Sequence, residues 1–189
     1  MKQTQQRRLV PAARRTPGRR PPVRLRTAGP DDAGALTAML ASLSPASGFH
    51  RFLAGVGTPK PALVRALVAR DSRRGAVLAV RATGDGEDVV GHACWSVDAR
   101  GVADVGVVVA DVWQRRGLGR RLTEAAVGRA GQAGASALHL DVHPENRAVV
   151  RLLRERIPSA ATTFTGGLVQ FDVPLADLAA SRRHPAPAA

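Results

Sequence analysis

Between Ala76 and Val109 the chain falls into a period-two pattern of β-branched and small apolar residues, cut twice by segments of turn chemistry. Ala76 to Arg81, Val89 to Val97 and Val102 to Val109 read as strands. Thr83-Gly84-Asp85-Gly86 and Asp98-Ala99-Arg100-Gly101 read as the turns that join them. Strands joined so closely pair antiparallel, because parallel neighbours need a crossover of a dozen residues or more. A fold for this chain must therefore contain a three-stranded meander, and the segment after Val109 must attach to it.

The flanking segments are helical at first. Val23 to Thr27 is a strand candidate, and Pro30-Asp31-Asp32 opens a helix with acids placed where the helix dipole favours them. Leu36, Met39, Leu40 and Leu43 give it an apolar face. Pro45 ends that helix, a short helical segment runs through Phe49 and Phe52, and Ala62 to Ala69 forms another after Pro61. Downstream of the meander, Leu118, Leu122, Ala125, Ala126, Ala130 and Ala133 share one helical face, and Gly134 fits the position past the helix end. Leu138, Leu140 and Val142 alternate along the next strand. Asn146 to Arg156 is helical until Pro158, and Gly166-Gly167 joins a closing hairpin at 160–165 and 168–173. The order is β-α-α-β-β-β-α-β-α-β-β. The class is α/β (α+β), with a mixed, mostly antiparallel sheet flanked by helices.

The 189 residues suit one domain at about 23–175, preceded by a disordered arm at 1–22 and followed by a flexible tail at 176–189. The net charge is +13, but Lys2, Arg7, Arg8, Arg14, Arg15, Arg19, Arg20, Arg24 and Arg26 supply nine of those charges before the first acid. A basic, proline-rich stretch cannot bury enough apolar area to fold. The arm reads as a solvated tail, and the body is only mildly basic, so nucleic-acid binding by the domain is not implied. Cys94 is the single cysteine, which excludes a disulfide framework and a cysteine-based zinc site. The five histidines show no paired metal-ligand spacing, so no metal is expected. No apolar run spans a membrane and no signal-peptide segment opens the chain, so the cytoplasm is the expected compartment.

The strand ending at Val109 leads to Gln114-Arg115-Arg116-Gly117-Leu118-Gly119, where a helix begins. A helix start offers unpaired N–H groups and a positive dipole end, and glycines let the backbone approach an anion. This is a pyrophosphate site in outline. A dinucleotide fingerprint would need a third glycine where Leu122 stands, and only 48 residues follow Asp141, the position of a ribose-binding acid.

Val109-x-x-x-Trp113-Gln114-x-Arg116-Gly117-Leu118-Gly119 resembles the central motif of the GNAT superfamily of N-acetyltransferases, and Val142-His143-Pro144-Glu145-Asn146 resembles its second motif. Within that superfamily, Leu43-Ser44-Pro45-x-Ser47 and Arg51-Phe52 are similar to the helix pair opening actinobacterial protein lysine acetyltransferase-type domains. The likeness covers about residues 23 to 175. It implies a GNAT-like sheet and transfer of the acetyl group of acetyl-CoA to a primary amine, a protein lysine or a small molecule, by direct attack in a ternary complex. It implies that backbone groups of Val107 and Val109 pair with the pantetheine arm, with Val108 between them counted in the cofactor site, and that amides from Gln114 through Arg115, Arg116, Gly117, Leu118, Gly119 and Arg120 hold the pyrophosphate. It further implies that Asn146 contacts the cofactor arm, beside its reading as the helix N-cap. The strands at 102–109 and 137–142 would splay apart to admit the thioester.

Amide formation needs a neutral amine, and a lysine-like amine with a pKa of about 10.4 is protonated at neutral pH. Asp104, the lone charge of its strand, stands where the related lysine acetyltransferases carry a catalytic glutamate; one methylene shorter, it would work through water. Its alternative is an ordinary strand aspartate. His143 is the reserve base. The family tyrosine that protonates the departing thiolate falls at Leu153, the following Gly-Phe at Ile157-Pro158, and the chain contains no tyrosine. Trp113 reads as packing and Cys94 as a buried strand residue. Two further function classes stand beside the enzyme: a non-catalytic acyl-CoA-binding sensor or interaction module of the same fold, and nucleic-acid binding through the arm.

Overall fold

A computed structural model describes residues 22–55, 59–84 and 86–178. The arm expected at 1–22 lies outside them except for Pro22, as does the tail from 179 on. Seven strands form one sheet in the order β1-β2-β3-β4-β5-β7-β6: β1 Val23–Thr27, β2 Arg74–Thr83, β3 Gly86–Val97, β4 Val102–Val109, β5 Ala137–Val142, β6 Ala161–Thr165 and β7 Leu168–Pro174. Every pairing is antiparallel except β4 with β5. The meander is β2-β3-β4, and its first two strands run further into their turn than the apolar pattern suggests, because Arg81, Ala82 and Thr83 pair with Asp88, Glu87 and Gly86. Gly166 and Gly167 both have positive φ, as the two-residue turn between β6 and β7 demands.

Three helices, not two, separate β1 from β2: α1 Ala33–Ala41, α2 Pro45–Phe52 and α3 Pro61–Val68. Ser44-Pro45 starts a helix of its own, since proline suits the first helical position and the Ser44 hydroxyl accepts the Ser47 N–H. Asp32 does more than complement a dipole. It takes two hydrogen bonds from the Arg26 guanidinium, at 2.8 and 2.6 Å, and one from the Gly29 N–H, tying β1 to the entrance of α1.

Alternation along the strands builds two cores. Ala76 to Val80 are all fully buried, because helices cover both faces of β2 and β3. Leu78, Val80 and Val108 meet Leu36, Met39, Val64 and Leu67 on one face. Val77, Ala79, Ala93 and Trp95 meet Leu122, Ala126 and Ala130 of α4 (Leu118–Gln132) on the other. The far half of the sheet is different. Leu138, Val142, Val169, Phe171 and Val173 pack into the α4 core, while His139, Asp141, Gln170 and Asp172 alternate with them and lie on the opposite face. That face is polar and joins the α2 side of β4. Residues 175–178 are helical, and Leu175 and Leu178 pack against the α4 core.

Candidate functional site

The ladder between β4 and β5 has three rungs, Val102↔Ala137, Ala103↔Leu138 and Asp104↔His139, and then stops. Beyond it β4 stays with β3 as far as Gly91↔Val109, while β5 stays with β7 as far as Val142↔Val169. The strands therefore part after Asp104 and leave a wedge. The Ala110 N–H donates to Val90 O at 3.0 Å, which fixes the parity of β4: residues 104, 106, 108 and 110 bond to β3, and 105, 107 and 109 turn their N–H and C=O groups to the wedge. Val107 and Val109 are thus available to a ligand along β4. Val108 is not, since its backbone faces His92 and its side chain lies in the α1–α3 core; the expectation for Val108 is corrected.

At the wide end of the wedge a loop turns into α4. Arg115 and Gly117 both have positive φ, 58° and 76°. Among the described residues no acceptor takes the N–H groups of residues 115 through 120, and the first helical bond of α4 runs from Arg121 N–H to Gly117 O. Six successive free N–H groups, a helix dipole and the exposed Arg115, Arg116 and Arg120 thus belong to one short loop and helix start. The space beside the two glycines is open, since a Cβ on Gly117 or Gly119 would meet nothing within 4 Å. The loop residues from Gln114 to Arg120 are together as expected, although Gln114 contributes differently. Its side-chain amide donates to Val109 O and to Ser47 Oγ, both at 3.0 Å, and so locks the loop.

Asp111 completes that lock. It accepts from Ser44 N–H at 2.9 Å, Ser44 Oγ at 2.8 Å and Ser47 Oγ at 2.7 Å. Partial burial raises its carboxyl, but the hydrogen bonds from Ser44 and Ser47 together outweigh that and hold it below the ordinary range. The loop is thereby fastened to the start of α2. Asp111→Ala should cost about 1 kcal/mol through the lost support of the α2 entrance. The melting temperature should fall a few degrees and cofactor affinity should weaken as the loop loosens, with a thermal melt and calorimetry as the checks.

Trp113 packs against both cores, with Arg116 and Arg81 over its ring at 5.1 and 5.8 Å. Asn146 stands at the N-cap of α5 (Arg147–Arg156) but its side chain makes no capping bond. The turn there is closed by its backbone, through Asn146 N–H to His143 O at 2.9 Å, which leaves the amide group unspent. Leu153 packs against the α4 core.

Asp104 shares its face of β4 with Gly106 and Val108, toward α2. It makes no hydrogen bond or ion pair with a described residue and stays accessible to solvent. Its carboxyl is raised above the usual range, chiefly by desolvation; Asp141 adds to the rise, and Arg51 and His139 oppose it. Asp104 lines a pocket of about 300 Å³ with Arg51, Gly75, Cys94, Trp95, Ser96 and other residues. The Arg51 guanidinium lies so flat on Gly106 that a Cβ there would come within 2.6 Å of three of its atoms. It donates to Cys94 Sγ at 3.1 Å, so Cys94 is half-buried and faces the pocket rather than a closed core. His143 sits apart from Asp104, edge-on to Phe49 of α2 at 4.9 Å. Its Nδ1 lies 3.3 Å from the Glu145 N–H. Arg51, His139 and Asp172 were not candidates on the sequence. The alternation of His139 and Asp141 with Leu138, Leu140 and Val142 was the available signal for a polar face.

Residues 48–156 match the Acetyltransferase (GNAT) family. Among solved structures, the GNAT domain of S. lividans PAT superposes with a TM-score of 0.69 at 22% identity, covering 80% of this chain and 90% of that one. A GCN5-related N-acetyltransferase from Kribbella flavida gives 0.61 at 22% identity, covering 80% and 97%. Salmonella typhimurium yncA, solved with its cofactor acetyl-CoA, gives 0.57 at 20% identity, covering 89% and 99%. These likenesses establish the fold. No curated protein matches the chain.

Proposed function

The chain belongs to the acetyltransferase (GNAT) family, and from that premise we propose that it transfers the acetyl group of acetyl-CoA to a primary amine by direct attack in a ternary complex. The observation that carries this reading is the run of six free N–H groups at the start of α4, set at the open end of the β4–β5 wedge. An anion-binding turn beside an unpaired strand edge fits a long molecule with a pyrophosphate at one end and an amide-bearing arm along β4. When bound, acetyl-CoA supplies the acyl group already activated as a thioester.

The residues of the chain then have separate tasks. N–H groups from Arg115 to Arg120 hold the pyrophosphate, and Val107 and Val109 offer backbone groups to the arm. The Val107 N–H is the donor toward the acyl oxygen. Asn146, at the start of α5 after β5, offers its side-chain amide to the cofactor arm. Asp104, through a water, takes the proton that an amine must lose before it attacks. Leu153 and the absence of tyrosine remove side-chain phenol as the proton donor to the leaving thiolate; a thiolate leaves without much help, and water serves. The acceptor enters from the α2 side, where Asp104 meets the pocket under Arg51.

Leu153 also favours a second reading, a non-catalytic acyl-CoA-binding module of the same fold. One experiment separates the two: thiol release from acetyl-CoA with a panel of lysine peptides, amino-terminal amines, polyamines and amino acids. Turnover with any of them supports the enzyme. Tight acetyl-CoA binding with no acceptor-dependent thiol release would leave the binding module. No helix among the described residues is long and apolar enough to cross a membrane. A cytoplasmic site of action is part of the proposal.

A further inference from the structure

The polar face beside Asp104 is in register across three strands. Asp104 of β4 stands opposite His139 of β5, and His139 stands opposite Asp172 of β7. The Asp104↔His139 pair is also the last rung before the wedge opens. All three residues line one open cavity of about 560 Å³, together with Ser96, Asp98 and Arg100. This lies next to the pocket under Arg51, and Asp104 and Ser96 border both.

The imidazole of His139 is clamped. Its Nδ1 is 2.7 Å from Asp172 Oδ1 and its Nε2 is 3.3 Å from Asp141 Oδ1. The Nδ1 contact is a hydrogen bond, while the Nε2 contact is an ion-pair approach only, and two carboxylates this close to one ring favour its charged form. The arrangement selects the imidazolium. Asp104 takes no part in the clamp and makes no ion pair with His139. The cation is therefore fixed beside the carboxylate without consuming its lone pairs.

We propose that His139, held as an imidazolium by Asp172 and Asp141, is a positioning residue for acetyl transfer: its charge keeps Asp104 ionised and free to take the amine proton. The proposal rests on Asp104 being the base. Desolvation and Asp141 push Asp104 toward its neutral form, and Arg51 from α2 and His139 from β5 are the cations that oppose them. His139 itself is raised above the ordinary histidine range, first by its hydrogen bond to Asp172; burial opposes this, and Asp141 adds to it. Arg100 at the cavity rim is engaged by Asp98 at 3.2 Å and does not substitute.

The sign is fixed by the charges. Removing a cation beside a carboxylate raises the carboxylate pKa, so the acidic limb of the pH–kcat/KM profile should move to higher pH. The experiment compares full profiles for wild type, His139→Gln, His139→Lys, Asp172→Asn and Asp104→Asn, with acetyl-CoA affinity measured alongside. His139→Gln should move the limb up by on the order of one pH unit, a roughly tenfold loss below the limb that disappears on the alkaline plateau. His139→Lys should restore the limb toward wild type. Asp172→Asn, which leaves the ring in place, should lower the NMR midpoint of His139 while leaving the acidic limb near wild type, because a histidine stays protonated across a carboxylate limb. An NMR titration of wild-type His139 should place its midpoint above that of an exposed histidine. A uniform loss across all pH in His139→Gln, with the limb unmoved, would show a merely structural role and overturn the proposal, as would a His139 midpoint below that of an exposed histidine. If Asp104→Asn abolishes the limb while His139→Gln leaves it in place, only this inference fails. If Asp104→Asn keeps the wild-type rate and profile, the base assignment fails and takes this inference with it.

Discussion

Asp104→Asn should lower kcat/KM by roughly 10² to 10⁴-fold at neutral pH while leaving acetyl-CoA affinity little changed. The separation follows from the parity of β4. The Asp104 side chain lies on the α2 face, whereas the cofactor groups are the backbone edge at 107 and 109 and the loop beyond it. The asparagine keeps the size and removes the basic oxygen. Stability should move the other way or not at all. Asp104 makes no hydrogen bond or ion pair that asparagine would lose. Its carboxyl is raised in the folded state, so the ionised form present at neutral pH is disfavoured by folding. That penalty sets in as pH rises through the ordinary carboxylate range and is complete above the raised folded value, so the neutral amide should keep or raise the melting temperature at pH 7. Loss of rate with unchanged or greater stability marks a group retained for chemistry rather than for folding. Alkaline buffer supplies more neutral amine, about tenfold per pH unit below a pKa of about 10.4, and should restore part of the mutant rate. Asp104→Glu should retain more activity than Asp104→Asn. An asparagine variant matching wild type at pH 7 with its true acceptor would remove Asp104 from the mechanism.

The parts of the fold legible in the sequence are those decided within a few residues. The meander, the closing glycine hairpin and the loop running into α4 each carry their own turn or cap chemistry. The crossover is not local. β5 pairs parallel with β4 over only three rungs, and β7 inserts between β5 and β6. Neither placement is written in the apolar pattern of Leu138, Leu140 and Val142, which is the same whichever strand lies alongside. The site divides the same way. Gly117 and Gly119 stand out because a helix start with glycines has one obvious use. Arg51, His139 and Asp172 come from α2, β5 and β7 and acquire meaning only when the sheet brings them to Asp104. Val108, counted in the cofactor site with its neighbours, belongs to the set that faces β3. Alternation separates two sets of residues without saying which set bonds to β3. The turn decides it: Asp98 N–H donates to Val102 O at 2.9 Å, and counting in twos from Val102 commits 104, 106 and 108 to β3. Asn146 fails differently, for its position at the helix start is as expected while its side chain is not used there.

Gly119→Glu should all but abolish acetyl-CoA binding in a protein that folds as well as wild type. Gly119 is in the first turn of α4, and a Cβ there meets nothing within 4 Å. A carboxylate in that turn interacts favourably with the helix dipole, by about 0.3–1 kcal/mol at an exposed site, and glycine is a poor helix residue to begin with. The melting temperature should therefore hold or rise. For the ligand the same change is adverse twice, since the new side chain fills the space over the free N–H groups and repels the pyrophosphate. Hydrogen bonds to a charged group contribute about 1.5–3 kcal/mol each, so losing two of them weakens binding by roughly 10² to 10⁴-fold. Gly119→Ala separates bulk from charge and should cost far less. Gly117→Asp is a companion test with a different background. Its φ of 76° lies in the left-handed region, which aspartate tolerates better than most residues, so a small stability loss should accompany the loss of affinity. Calorimetry on the folded variants is the check. Gly119→Glu binding acetyl-CoA as wild type does would mean that the free amides of residues 115–120 are not where the pyrophosphate sits, and the proposed function would lose the observation that carries it.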